Sequence, residues 1–263
     1  MTIESKSDKL RAEVRGQTVL VTIDNPPANT WDQQNLAALT DLVDDCEADR
    51  DVYAIVVTGA GERFFSAGAD LKVFAPGDKG VAAEMAAAFG HAFERLAAFR
   101  GVTIAAINGY AMGGGLECAM ACDIRIAERQ ASMALPEASV GLLPCGGGTQ
   151  NLAWLVGEGW AKRMILCGER VDADTAARIG LVEEVVDTGS ALETALALAE
   201  RVSGQSPPAV ASCKRLIQLG RSSSIAASYR PERDAFVDLF DTADQKEGVN
   251  AFLEKRPPRW VNG

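Results

Sequence analysis

Apolar and polar positions recur along this chain with periods that predict most of its elements. Residues 10–14 and 19–23 are short β-rich runs separated by Arg15-Gly16-Gln17-Thr18, which reads as a hairpin. Asn25-Pro26-Pro27-Ala28-Asn29 breaks the second strand. Over residues 31–48, Leu36, Leu39, Leu42, Val43 and Cys46 keep a 3.6-residue period, so an amphipathic helix is expected there. Residues 54–59 form a continuous β-rich run, typical of a strand covered on both faces. A polar, glycine-containing segment (60–70) leads to a short helix at 71–74 and a loop at 76–80. A long helix pattern covers 81–99. Strands follow at 103–108, 123–127 and 131–134, helices at about 149–156, 159–167 and 175–179, and a last strand at 181–186. Asp174 is the expected N-cap of the 175–179 helix, with Gly180 just past its end.

From Ser190 onward the pattern is all helix. Ser206-Pro207-Pro208 opens one helix that Gly220 ends, and two more lie near 222–242 and 246–254. Strands and helices mix before residue 190 and helices stand alone after it. This predicts an α/β core over 1–190 and a helical C-terminal section over 191–263, packed on the core or on a neighbouring subunit. Nothing repeats at a period of 20–50 residues.

One stretch carries candidate chemistry. The strand at 103–108 runs into Gly109-Tyr110-Ala111-Met112-Gly113-Gly114-Gly115-Leu116-Glu117, then into a short apolar run ending at Asp123. This reads as a strand, a glycine turn and the start of a buried helix. The first N–H groups of a helix have no partner within it and carry the positive end of its dipole. Glycines leave them open to a ligand. Exposed donors beside a carboxylate suit an acid/base site next to an oxyanion hole. A plain helix start with Glu in its first turn is the other reading of these residues.

Composition narrows the classes. The 263 residues are 48% apolar and 24% charged, ordinary for a globular protein with a good core. No run approaches the roughly 18–20 apolar residues of a membrane span. The polar N-terminus, which includes Glu4 and Asp8, lacks the pattern of a secretory or transit signal. A net charge of −10 disfavours nucleic acid and acidic membranes as partners. Cys46, Cys118, Cys122 and Cys167 fall in apolar, helix-like contexts, where free cysteine acts as a small hydrophobe. No Cys/His cluster accompanies the Cys118/Cys122 pair, so no metal site is expected. A reduced, cytoplasmic protein fits. The single histidine, His91, sits inside a helical pattern and reads as structural, without the motifs of a Ser-His-Asp or Cys-His unit. Gly59-Ala60-Gly61 lacks the third glycine of a dinucleotide fingerprint, Phe64 standing there. No Gly-Lys-Ser/Thr completes a nucleotide loop.

Four segments together, covering nearly the whole chain, resemble the crotonase family, the enoyl-CoA hydratase/isomerase superfamily. They are Asn25-Pro26-Pro27-Ala28-Asn29, Phe65-Ser66-Ala67-Gly68-Ala69-Asp70-Leu71-Lys72, Asn108 through Glu117, and Leu135-Pro136-Glu137 through Gly147-Gly148-Thr149-Gln150. The resemblance implies an α/β crotonase spiral of repeated ββα units with a helical C-terminal trimerisation section, assembled as a trimer or hexamer. It implies that the N–H groups of Ala69 and Gly114 hold a thioester oxygen and that Glu117 and Glu137 are the catalytic pair. It also implies that Ala67, Asp70, Leu71 and Lys72 line a coenzyme A site, mostly through backbone contacts. The thioester would be the substrate, with no cofactor or metal.

Both glutamate positions are filled, which favours enoyl-CoA hydratase activity. An enoyl-CoA isomerase or another crotonase-type lyase is the alternative, and a non-catalytic CoA-binding protein a more distant one. Two departures stand out. Leu116 and Cys118 reorder the commoner Cys-Glu-Leu around the first glutamate. Cys145 replaces a frequent glycine and is expected to be buried filler; otherwise it narrows the acyl pocket. Lys72, Arg63, Lys255 and Arg256 are either phosphate partners or solvated surface charges.

Overall fold

The computed structural model describes residues 3–263. Met1 and Thr2, the start of the polar N-terminus, lie outside the described residues. Strands β1 (Leu10–Arg15) and β2 (Thr18–Ile23) form the expected hairpin. The turn is closed by Gly16 at φ +60°, where a Cβ would be strained. Beyond β2 the sheet is parallel, adding β3 (Ala54–Gly59), β5 (Val102–Ile107), β7 (Ile124–Glu128) and β10 (Glu184–Val186) in the order β1-β2-β3-β5-β7-β10.

Parallel strands need cover on both faces, and their side chains alternate between them. Ile55, Val57, Ala105 and Ile107 face a core shared with α1 (Gln33–Ala48), α2 (Lys79–Ala98) and α3 (Gly114–Ala121). Ala54, Val56, Ile104 and Ala106 face the small residues Ala191, Ala195 and Ala199 of α6 (Ala191–Ser203). Helix α6, on the C-terminal side of residue 190, therefore covers the sheet of the α/β core.

A second sheet joins three short parallel strands, β4 (Phe64–Ser66), β6 (Tyr110–Met112) and β8 (Ser132–Ala134), to the antiparallel β9 (Val171–Asp172). The sequence pattern shows β8 but places 60–70 in a polar segment and 110–112 in a turn, and it misses β9. Strands of two or three residues are too short to display a period. Each long strand is followed by a short one and then a helix, as β3-β4-α2, β5-β6-α3 and β7-β8-α4, with α4 spanning Gly148–Leu166. These are the ββα units that the resemblance implied.

Other expectations shift in detail. Trp31, placed in the first helix, instead pairs with Ala69 in an isolated parallel bridge, and Asp32 caps α1 through a capping box. The helices expected at 149–156 and 159–167 run as one element kinked at Gly157, whose φ is +75°. Helix α5 (Ala173–Arg178) is capped by Asp172, whose Oδ1 accepts the Thr175 N–H at 2.8 Å, and not by Asp174. A carboxylate three residues ahead of a free N–H reaches it, whereas Asp174 already lies inside the first turn. Cys167 ends α4 past the buried Met164 and is exposed. Helices α7 (Pro207–Leu219), α8 (Ile225–Asp238) and α9 (Ala243–Glu254) complete the chain. No described helix is long and apolar enough to cross a membrane.

Candidate active site

The segments singled out in the sequence leave the C-terminal ends of β4, β6 and β8, which are neighbours in the small sheet. Ala69 follows β4, Gly113-Gly114 and Glu117 follow β6, and Glu137 follows β8. Ligand sites in parallel sheets gather at such strand ends, because successive loops meet there.

The first loop is held from outside. Ala67 N–H donates to Ala28 O at 3.0 Å, Trp31 N–H to Gly68 O at 2.8 Å, and Asp70 N–H to Trp31 O at 3.0 Å. Residues 28–31 thus form a rail along 67–70. The Asn29 side chain anchors the rail by donating to Ala60 O and Phe64 O at 2.9 and 2.8 Å. Asn108 similarly ties the ends of β3 and β5, donating to Gly59 O and Gly61 O. Asn29 and Asn108 therefore position the site from behind.

Trp31 pairs through residues 68 and 70, so the N–H of Ala69 points the other way, and it has no protein acceptor among the described residues. The same holds for Gly114 N–H, the first residue of α3. Gly68 keeps the two together. At φ +88°, a Cβ there would stand 2.7 Å from Met112 O and 3.1 Å from Gly114 N. Only glycine lets the two loops approach this closely, and the sequence reading missed it.

Glu117 is 2% exposed, in a helix whose eight residues are all buried. Its Oε1 accepts the N–H groups of Gly146 and Gly148 at 2.7 and 2.8 Å. Burial pushes its carboxyl above the ordinary range, opposed by those N–H groups. Gly148 is obligatory by space, because a Cβ would lie 2.8 Å from both Glu117 Oε1 and Pro144. The glycines after Cys145 are thus the seat of the first glutamate. Cys145 itself is exposed at this loop and is not buried filler, since its glycine neighbours take the inward positions. Desolvation, then the charges of Glu117 and Glu137, push its thiol up to about 11, so it stays protonated.

Glu137 opens the 3-10 turn Glu137–Val140. Its Oε1 lies 3.0 Å from where a Cβ on Gly113 would stand, and its buried Oε2 has no hydrogen-bond partner. Burial, helped by the nearby charge of Glu117, raises it to about 7. The turn from β6 into α3 therefore has Glu137 against Gly113, Glu117 in the first turn of the helix it opens, and two N–H donors without protein acceptors among the described residues.

The segment assigned to coenzyme A sits beside the first donor. Asp70 caps the 3-10 turn Leu71–Val73 by accepting Lys72 N–H at 3.1 Å, and Leu71 and Lys72 are exposed. Since the N–H of Ala67 is used, only its carbonyl is open to a ligand.

Residues 13–263 match the family described as enoyl-CoA hydratase/isomerase. The chain belongs to that family. The short-chain-enoyl-CoA hydratase of Clostridium acetobutylicum is 38% identical to it over 245 residues, covering 93% of this chain and 94% of the relative. The solved structure of Pseudomonas aeruginosa DspI is 65% identical, with a TM-score of 0.95 and 97% of each chain covered. The enoyl-CoA hydratase of Bacillus anthracis is 32% identical with a TM-score of 0.94, covering 97% of this chain and all of the other. Within this enoyl-CoA hydratase/isomerase chain, the conformation of the whole core, and not only its motifs, matches that of solved relatives.

Proposed function

We propose that the chain is an enoyl-CoA hydratase, adding water to a 2-enoyl thioester to give the 3-hydroxyacyl thioester. The observation that carries this is Glu137 set against Gly113 and Glu117 buried in the first turn of the helix that Gly114 opens, beside two N–H donors without protein acceptors among the described residues. Attack of water at Cβ builds negative charge on the thioester oxygen. The N–H groups of Ala69 and Gly114 oppose that charge, and one such donor is typically worth roughly 10²–10³ in rate.

The two glutamates take different roles. Glu117, where two N–H bonds to Oε1 oppose the upward push of burial, takes the proton of the attacking water. Glu137, raised to about 7 and with a free Oε2, is suited to the neutral form and delivers a proton to Cα. The water oxygen bonds to Cβ as the Cα–Cβ π bond opens. Syn addition follows if both carboxyls act on one face. One proton leaves Glu137, one arrives at Glu117, and a transfer between them restores the start. The atoms balance with water alone, so no metal or redox group enters the scheme.

Ala67, Asp70, Leu71 and Lys72 are proposed to line the coenzyme A site. The Ala67 carbonyl accepts from the adenine and the Lys72 ammonium approaches a phosphate. A homo-oligomer, trimeric or hexameric, is proposed through the C-terminal helices, where Ile217, Phe236, Phe252 and Leu253 expose 64–83% of their surface. Six free cysteines support a reduced, cytoplasmic setting.

Incubation with crotonyl-CoA and longer 2-enoyl-CoAs tests the assignment, with product identified by mass. Gain of one water is expected. Conversion of 3-enoyl to 2-enoyl thioesters without any hydration would instead establish an isomerase.

A further inference from the structure

Gly146 is pressed between an aromatic ring and a carboxylate. The point where its Cβ would stand lies 2.6 Å from Phe93 Cδ2, 3.0 Å from Phe93 Cε2 and 3.2 Å from Glu117 Oε2. Atoms that close to one point are less than about 6 Å apart, whereas a water directly between them needs about 2.8 Å to the oxygen and about 3.5 Å to the carbon. The ring edge therefore walls Oε2 on that side. Oε2 is the oxygen left for a proton, because the N–H groups of Gly146 and Gly148 both go to Oε1. The ring itself is firmly held. Phe93 is 2% exposed on the buried face of α2, and Trp31 and Phe89 pack on it edge-to-face, each with ring centroids 5.7 Å away. Trp31 rails the loop that carries the Ala69 donor, and Phe89 Cε1 stands 2.7 Å from the Cβ position of Gly114. One aromatic cluster thus backs both donors and the first glutamate.

From this contact we propose that Phe93 is a positioning residue for the reaction: its ring keeps water off Oε2 of Glu117 and so fixes how readily that carboxyl takes a proton. The inference rests on Glu117 being the base. A carboxylate whose anion is kept from solvent holds a proton more strongly, and burial is what raises Glu117. The surrounding elements offer little else that could set it. The titratable groups around it are Cys118 in its own helix, the Cys145 thiol and Glu137. Strand β4 and residues 148–157 of α4 carry none, and Tyr110 of β6 packs on Phe64. On α2, His91 and Glu94 are exposed and Arg95 is engaged by Asp44. The aromatic wall is the part of the surroundings that α2 alone supplies.

Difference infrared spectroscopy of the carboxyl band, assigned by its loss in Glu117→Gln, reads the titration of Glu117 without turnover. A Glu137→Gln background leaves one carboxyl of the pair to titrate. There the midpoint should lie above 4.5. Phe93→Gln, which puts an amide beside Oε2, should lower it by at least about half a pH unit, whereas Phe93→Leu keeps an apolar wall and should stay within about 0.2 of a pH unit. With Glu137 restored, the acid limb of kcat/KM on crotonyl-CoA should move down with Phe93→Gln and return with Phe93→Leu, while KM changes less than about twofold. If Phe93→Gln does not fold, Phe93→Ala takes its place, since the space it opens borders a carboxylate oxygen and admits water. A midpoint at or below 4.5 in the background chain, or one that the polar or alanine variant leaves unmoved, overturns the proposal. So does an equal shift in Phe93→Leu, which would reduce the ring to packing. Absence of any hydration by the parent would sink the hydratase assignment and leave the titration result standing.

Discussion

Glu117 and Glu137 flank the same glycine turn, but the protein holds them by opposite means. Glu117 is sealed in α3 and receives two N–H groups from the 146–148 loop. Glu137 stands on a short 3-10 turn, partly exposed, with one buried oxygen unpaired and its carboxyl raised to about 7. Chemically the side chains are identical. Burial raises both carboxyls, but the N–H donors at Glu117 oppose it more fully than the backbone contact at Glu137 does, and that difference is what the proposed base and acid roles rest on.

Removing either role is expected to have the largest effect. Glu117→Gln and Glu137→Gln should each lower kcat on crotonyl-CoA by roughly 10²–10⁴. Near-parental turnover in both would refute the assignment. Gly68→Ala leaves both glutamates in place but pushes Met112 and Gly114 away, so a loss of roughly 10²–10³ in kcat is expected from the oxyanion donors alone. A fall confined to KM would show that the donors bind the ground state and not the transition state.

Stability should split the pair in the other direction. Glu117→Ala strips two buried N–H groups of their acceptor, at about 1–3 kcal/mol each, readable by urea unfolding. Glu137→Ala removes a carboxyl whose charged form burial disfavours, so at pH 7 it should leave stability unchanged or raise it. Equal losses would mean that the two glutamates are held alike after all.

The subtlest test is pH. Glu137 is raised from 4.5 to about 7, so in that window the folded protein holds a proton that the unfolded chain has released. Stability from this group therefore falls as pH rises from 4.5 to 7, and Glu137→Gln should remove this group's share of the slope, leaving that of Glu117. The kcat/KM profile should likewise lose activity above about pH 7, with that limb missing from the residual activity of Glu137→Gln. An unchanged limb in the variant would assign it to another group.

How far these features were legible depends on the length of chain that encodes them. The runs 54–59 and 103–108 announced buried parallel strands because six successive apolar or β-branched residues suffice to show a pattern. Glu117 and Glu137 were legible through their motifs, and Gly114 through its place at a helix start. Gly68, Gly146 and Gly148 were not, because what makes each necessary is an atom from another segment: Gly114 N and Met112 O for the first, Phe93 and Glu117 for the others. Cys145 was misread for the same reason, since its exposure follows from which neighbours turn inward.

The sequence by itself determined the helices, the long strands and the identity of the groups that can do chemistry, because these depend on periodicity and residue type within one stretch. Only the tertiary structure decided that β4, β6 and β8 end side by side. Strands of three residues have no register of their own, and they align because the long strands before them are fixed in the large sheet. That alignment brings the N–H of Ala69 to the N–H of Gly114, sets Glu137 against Gly113, and gives two like carboxyl groups unlike surroundings.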